Sequence, residues 1–245
     1  LSLGALFFVV LQHLVRAGWS VVVRRLAEAI AANLTLLALL ALPILFGLRH
    51  LYPWAQGGAW ADPETPAWKL VYLTEPFFCA RAVLYVLVFA LLARYYLRRS
   101  VEQDSTGDPG LTLRMQRSSG AAMVAYALGV NFAAFDLLMS RDPHWYSTIF
   151  GVYFFSGCAV GFFALLPLLA YLLQRKGRLA RAITAEHYHD LGKLLFAFIV
   201  FWAYIAFSQY MLIWYGNIPE EATWYLRRQS GEWTFASLAL VFGHF

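Results

Sequence analysis

The chain has 245 residues, of which 61% are hydrophobic and only 13% charged, with a net charge of +5. Soluble domains carry about 25% charged residues, so an ordinary soluble globule is excluded and a membrane protein is indicated. The positive excess fits loops on one membrane face better than nucleic acid, because nothing in the chain resembles a basic reading domain.

Apolar segments follow one another at about 1–13, 29–48, 76–97, 118–140, 147–173, 190–215 and 232–245. A helix needs roughly 20 mostly apolar residues to cross the hydrocarbon core, so the first and last segments read as incomplete spans. The ~10-residue alternating segments of a membrane barrel are absent. The fold expected is all-α, a polytopic transmembrane helical bundle, with residues 1–245 as a single transmembrane domain. The chain does not open on Met and no charged region precedes the first segment, so a piece of a longer protein, without a signal peptide and cut at both ends, is expected.

Positive charge alternates between the connections. Arg16, Arg24 and Arg25 follow segment one, Arg94, Arg98, Arg99, Arg114 and Arg117 follow segment three, and Arg175, Lys176, Arg178 and Arg181 follow segment five. The other connections hold only Arg49, Lys69, Arg141, Arg227 and Arg228, together with Trp54, Trp60, Trp68, Trp145 and Trp224. The positive-inside rule makes the first set cytoplasmic, and the tryptophans suit an outer interfacial belt. The stretch from Gln103 to Gly110 reads as the longest loop, a polar turn.

Pro76 can occupy a first helical turn and should start segment three. Pro43 and Pro167 lie inside segments two and five and should kink them. Gly157 and Gly161 form a small-xxx-small pair that would let a neighbouring helix approach. Cys79 and Cys158 lie in apolar runs without a CxxC pair and read as small core residues.

An ionisable side chain near the bilayer centre costs about 2.5–3.5 kcal/mol on the insertion scale, so each one needs a partner, a snorkelling route or a function. Arg81 lies roughly 7 Å inside the outer face by helical rise, and Asp136 roughly 6 Å inside it. Segments three and four are consecutive and antiparallel, so an Arg81–Asp136 pair is expected; the alternative is that each snorkels separately.

The junction DLLMSRDPHWYSTIFGVYFF, residues 136–155, is mostly punctuation. Asp142 and Pro143 can cap and start a turn, while Ser147 or Thr148 can cap segment five. Punctuation leaves out the submerged acid at Asp136 and the titratable His144. Asp136, Asp142 and His144 are therefore candidates for proton exchange.

In segment six, Glu186, Asp190, Lys193, Ala197, Val200, Tyr204, Ser208, Met211 and Tyr215 advance by threes and fours and share one face. A dry gap of roughly 16 Å separates Lys193 from Tyr204. That excludes a continuous proton wire along this helix but leaves two half-channels completed elsewhere. The alternative is an Asp190–Lys193 ion pair near His189, with Tyr204, Ser208 and Gln209 bonding across helices.

His244, a further proton-path candidate, lies at mid-membrane depth, whereas His13, His50, His144, His187 and His189 lie at segment ends. A transmembrane haem usually needs two histidines at one depth, so none is expected within these residues. No His, Cys and carboxylate set has metal-ligand spacing. P-loop, GxGxxG and GxSxG motifs are absent, which leaves no nucleophilic catalyst or nucleotide-driven pump to argue for.

Two strings carry a family resemblance. FAAFDLLMSRDPHWYSTIFGVYFFSG (132–157) and DLGKLLFAFIVFWAYIAFSQYMLIWYGNIPEEATWYL (190–226) resemble the F subunit of bacterial alternative complex III, a quinol:cytochrome c or quinol:oxidase oxidoreductase. LGALFFVVLQHLVRAGWSVVVRR (3–25) is similar to the same subunit's early region. The resemblance implies the polysulfide-reductase-like (NrfD-like) superfamily and its two four-helix bundles, with helices missing at both ends. It implies a bacterial inner (plasma) membrane location and no redox centre in this subunit. Haem c and iron–sulfur clusters would belong to partners, a multihaem cytochrome c and an iron–sulfur protein, with the NrfD-like C subunit the better candidate for quinol oxidation. Quinol or menaquinol contact and proton conduction are both associated with such subunits. The matching positions are Asp136, Asp142, His144, Asp190, Lys193, Tyr204, Ser208, Gln209, Glu220 and Glu221. Arg141 departs from the family pattern, where an uncharged residue is expected.

Three readings follow. The first is a subunit of a quinol-oxidising complex, with Asp136 and His144 near the outer exit and Asp190 and Lys193 near the inner entrance of a proton route. The second is a purely structural membrane scaffold. The third is an independent proton-coupled transporter, for which the broken helices at Pro43 and Pro167 would be the support.

Overall fold

The computed structural model describes residues 1–57, 60–61 and 65–243. His244 lies outside the described residues. Every regular element among them is helical, and five helices are long and apolar enough to cross a membrane. The protein is an all-α, multi-pass membrane bundle.

Helix α1 (Ser2–Leu14) occupies the centre. Ala5, Leu6, Phe8 and Val10 are fully buried, as expected of a helix that is apolar all round. It packs against α2 (Val21–Leu40) and three later helices. Helix α2 begins eight residues before the apolar segment that predicted it, so Arg24 and Arg25 are helical rather than in a loop. Pro43 ends α2's regular course: α3 (Leu42–Phe46) and α4 (Leu48–Leu51) follow as short turns, then a single 3-10 turn, Pro53–Gln56. Helix α5 (Ala67–Tyr72) completes this connection.

Helix α6 (Glu75–Thr106) starts with Pro76 in its first turn, as predicted. It runs nine residues past the predicted end of its segment, and α7 (Pro109–Leu137) follows at once. The expected polar loop is only Gly107 and Asp108. Gly107 is left-handed (φ 67°), which an L side chain rarely adopts, and the Asp108 carboxylate accepts from the Gly110 amide at 2.8 Å, capping α7.

Helix α8 (Phe150–Arg175) runs through Pro167 without interruption, and neither Ser147 nor Thr148 caps it; its N-cap is Ile149. Of the predicted Gly157/Gly161 pair, a Cβ at Gly157 would meet nothing and one at Gly161 would make only an ordinary contact with the Leu1 side chain at 3.5 Å, so no close helix approach depends on them. Other glycines allow the close contacts. A Cβ at Gly4 would overlap the Cys158 carbonyl of α8, and one at Gly151 would overlap Asn131 of α7. Helix α9 (Ala185–Gly216) packs against α8 at the periphery and starts with a capping box in which Thr184 and His187 satisfy each other's ends. An amphipathic helix unforeseen in the sequence, α10 (Pro219–Arg228), precedes the apolar α11 (Trp233–Gly243).

Candidate functional site

Helices α6 and α7 are antiparallel neighbours, so the first turns of α6 meet the last turns of α7. Phe78, Ala82, Tyr85 and Phe89 advance by fours and threes along the buried face of α6, and Arg81 sits beside that row. At the end of α7, Asp136 is 0% exposed. Arg81 reaches it with two hydrogen bonds, Nε to Oδ2 at 2.8 Å and Nη2 to Oδ1 at 3.1 Å. Tyr85, one turn deeper on α6, donates its hydroxyl to Oδ2 at 2.6 Å. The two charges predicted to meet are therefore joined by the strongest geometry available to them, a fork on a carboxylate.

The connection between α2 and α6 covers this pair. Tyr52 donates to the Leu137 carbonyl at 3.1 Å, and Trp54 Nε1 donates to Ser140 Oγ at 3.4 Å. Ser140 in turn donates to the Asp136 carbonyl. The rings of Tyr52, Trp54 and Phe78 lie 5.0 to 5.4 Å apart and form the apolar part of the cover. The Arg81 guanidinium is sandwiched against Tyr72, 3.8 Å from its centroid, and Phe77, at 4.3 Å. Burial, and then the neighbouring Asp136 charge, push the Tyr72 hydroxyl up to about 12, and burial pushes Tyr52 up to about 12 as well. Both phenols stay protonated, and Tyr52 acts as a donor. Tryptophan placed in the outer belt by sequence is thus split in role: Trp54 is buried cover, while Trp68 remains exposed.

The other charges of the 136–155 junction point elsewhere. Asp142 pairs with Arg227 of α10 at 3.3 Å, and His144 is exposed. Between them, Pro143 and Trp145 turn inward; Trp145 stacks on Trp224 at 4.2 Å and donates to the Glu221 carbonyl at 3.1 Å. The junction anchors α10 rather than gathering its acids into one cluster.

The polar face foreseen on α9 turns away from the bundle. Lys193 and Tyr204 are exposed, Tyr204 at 65%, and Ser208 is half-buried; Gln209 is the residue that faces inward. Asp190 and Lys193 pair with each other at 3.2 Å, the simpler of the two arrangements expected for them. They do not join Asp136, and they line no route within the described residues.

Sequence reasoning missed a second buried acid. Glu28 of α2 is 2% exposed and lies at ion-pair distance from Arg24 (3.5 Å) and Arg25 (3.2 Å). Arg25 also bonds the Ser100 carbonyl at 3.1 Å and pairs with Asp104, tying α2 to α6. The signal was available: Arg24 and Glu28 are four residues apart, one turn on a helix, but only if the helix is begun before its apolar run.

Among the described residues no group of three His, Cys, Asp or Glu could hold a metal ion. An apolar hollow of about 210 Å³ lies between α1, α7 and α8, lined by Phe7, Met123, Tyr126, Val130 and Phe155, with Asn131 beside it. No protein-family model matches the chain, and no curated protein matches it.

Proposed function

We propose that this chain is an integral subunit of a quinol-oxidising respiratory complex of the alternative complex III kind, with proton handling rather than electron transfer as its part. The reading places it in a bacterial inner membrane with its arginine-rich end inside. Its supports are the resemblance of residues 132–157 and 190–226 and one observation of the site. That observation is the fully buried Asp136, joined to Arg81 and Tyr85 just inside one lipid boundary. A carboxylate held there is a group that can accept a proton when Arg81 withdraws, and that returns to its ion pair when the proton leaves. Electrons, on this reading, travel through haem c and iron–sulfur partners.

Purification from the native membrane tests membership: co-isolation with multihaem and iron–sulfur subunits supports it, and a lone chain refutes it. Asp136→Asn and Tyr85→Phe in the assembled complex test the proton role. Lowered proton release per quinol oxidised is expected; unchanged release rejects it.

The scaffold reading draws on the same geometry, because a forked ion pair also fixes two helices. It predicts that both variants lower the yield of assembled complex while leaving proton release per complex unchanged. The transporter reading keeps only the break at Pro43 as support, since α8 passes Pro167 without one.

A further inference from the structure

Eight buried side-chain atoms without a satisfactory protein hydrogen bond lie on three helix segments at the arginine-rich end. They are Gln12 Oε1, both ring nitrogens of His13, Ser20 Oγ, Arg25 Nη1, both carboxylate oxygens of Glu28 and the Tyr96 hydroxyl. Their residues form a linked set. His13 at the end of α1 stacks on Tyr96 of α6, centroids 5.2 Å apart. Arg24 lies within electrostatic range of His13 and 3.5 Å from Glu28. Arg25 connects Glu28 with Ser100, one turn from Tyr96, and with Asp104, whose side chain is 67% exposed.

Buried polar groups in native proteins are satisfied almost without exception, by protein or by internal water. A dry cluster would leave both nitrogens of one imidazole unmet and both oxygens of one carboxylate with ion pairs but no hydrogen bond, and the imidazole alone would make the site costly. The set holds both donors and acceptors, and two to four polar partners are what one internal water requires.

We propose that the α1–α2–α6 junction is a hydrated chamber in which Glu28 and His13 exchange protons with the arginine-rich face, Arg25 and Asp104 forming its door. A proton taken from solvent binds the Glu28 carboxylate as Arg25 turns to Asp104. It then passes through water to the free nitrogen of His13 and returns by the same water and Glu28 to solvent, so the ring ends neutral and no proton is left over. The charged and titratable groups facing this chamber are His13 from α1, Arg24 and Arg25 from α2, and Tyr96 and Asp104 from α6. The proposal rests on the proton-handling reading above and moves the inner end of that route from Asp190 and Lys193 to Glu28 and His13.

The test is infrared difference spectroscopy of the full chain in lipid nanodiscs through an acid pH step, in H2O and D2O. A carboxyl carbonyl band that is lost in Glu28→Gln and shifts in D2O within minutes is expected, with its midpoint displaced in the surface variant Asp104→Asn. Absence of any such band, or a band unmoved by D2O over hours, overturns the chamber. Should Glu28→Gln fail to fold, nitrogen NMR of His13 in the unaltered chain decides, with water exchange at the ring expected and a non-exchanging ring overturning the idea. An exchanging Glu28 in a chain that purifies alone refutes only the complex; a silent Glu28 where Asp136→Asn still lowers proton release refutes only the chamber.

Discussion

Two buried carboxylates, one near each end of the bundle, are handled in opposite ways. Asp136 accepts two hydrogen bonds from Arg81 and one from Tyr85 and lies under an aromatic cover. Glu28 has two arginines beside it, yet neither of its oxygens is satisfied by a hydrogen bond, and one arginine is shared with an exposed aspartate. The difference lies in reach. Arg81 comes from a facing helix at matching depth, so its fork meets the carboxylate squarely. Arg24 and Arg25 come from the same helix as Glu28, three and four residues back, and must bend alongside it. A cross-helix pair holds its acid firmly until the partner withdraws, whereas a same-helix pair leaves lone pairs free for other partners.

Neutralising each acid with its amide isostere sharpens this contrast most. Asp136→Asn strands Arg81, which is only 11% exposed, and breaking a buried pair costs about 3–5 kcal/mol. Glu28→Gln leaves Arg24 (13% exposed) without its acid, but Arg25 is 37% exposed and keeps Asp104, so a smaller loss than for Asp136→Asn is expected. Thermal unfolding of both variants in nanodiscs measures the gap, and equal losses would erase the distinction between the two acids. Next in size, Tyr85→Phe removes a hydrogen bond to a charged acceptor and should cost about 1.5–3 kcal/mol.

The Arg81–Asp136 pair was legible in the sequence because helical rise turns residue number into depth, and consecutive spans are neighbours. The number of spans was legible for the same kind of reason, since hydrocarbon thickness sets their length. Rotation about the helix axis was not. Asp190, Lys193, Tyr204 and Ser208 do share a face, but spacing alone does not say whether that face looks inward or outward, and on α9 the packing against α8 turns it out. Glu28 escaped for a different reason. The apolar run begins at Ala29 by composition, yet α2 begins at Val21, because helical hydrogen bonding carries on through charged residues when their neighbours along the turn pair with them. Trp54 and Tyr52 were legible as interfacial but not as a cover, since folding back over Ser140 and Leu137 depends on contacts some 85 residues away.

Smaller effects test the cover itself. Trp54→Phe keeps the ring contacts with Tyr52 and Phe78 but removes the donor to Ser140, so a loss of about 1 kcal/mol is expected. If the cover also shields Asp136 from solvent, hydrogen exchange at Asp136 and Leu137 amides should rise in this variant while that at Glu28 stays unchanged. A simultaneous rise at both ends would mean that the two carboxylates belong to one cooperative unit.

The smallest effect should come from the pair that sequence spacing favoured as an inner entrance. Lys193 is 60% exposed along its side chain and meets Asp190 on the same helix at 3.2 Å. Exposed pairs of this kind contribute about 0–1 kcal/mol because solvent screens them and ordering two side chains offsets the attraction. Asp190→Asn is therefore expected to leave thermal stability nearly unchanged, and to leave proton release per complex unchanged as well, in contrast to Asp136→Asn. A loss of proton release in Asp190→Asn with stability intact would return the inner entrance to α9. The outward face of that helix would then be covered by another polar surface in the assembly, since a charge pair facing acyl chains has no route for water.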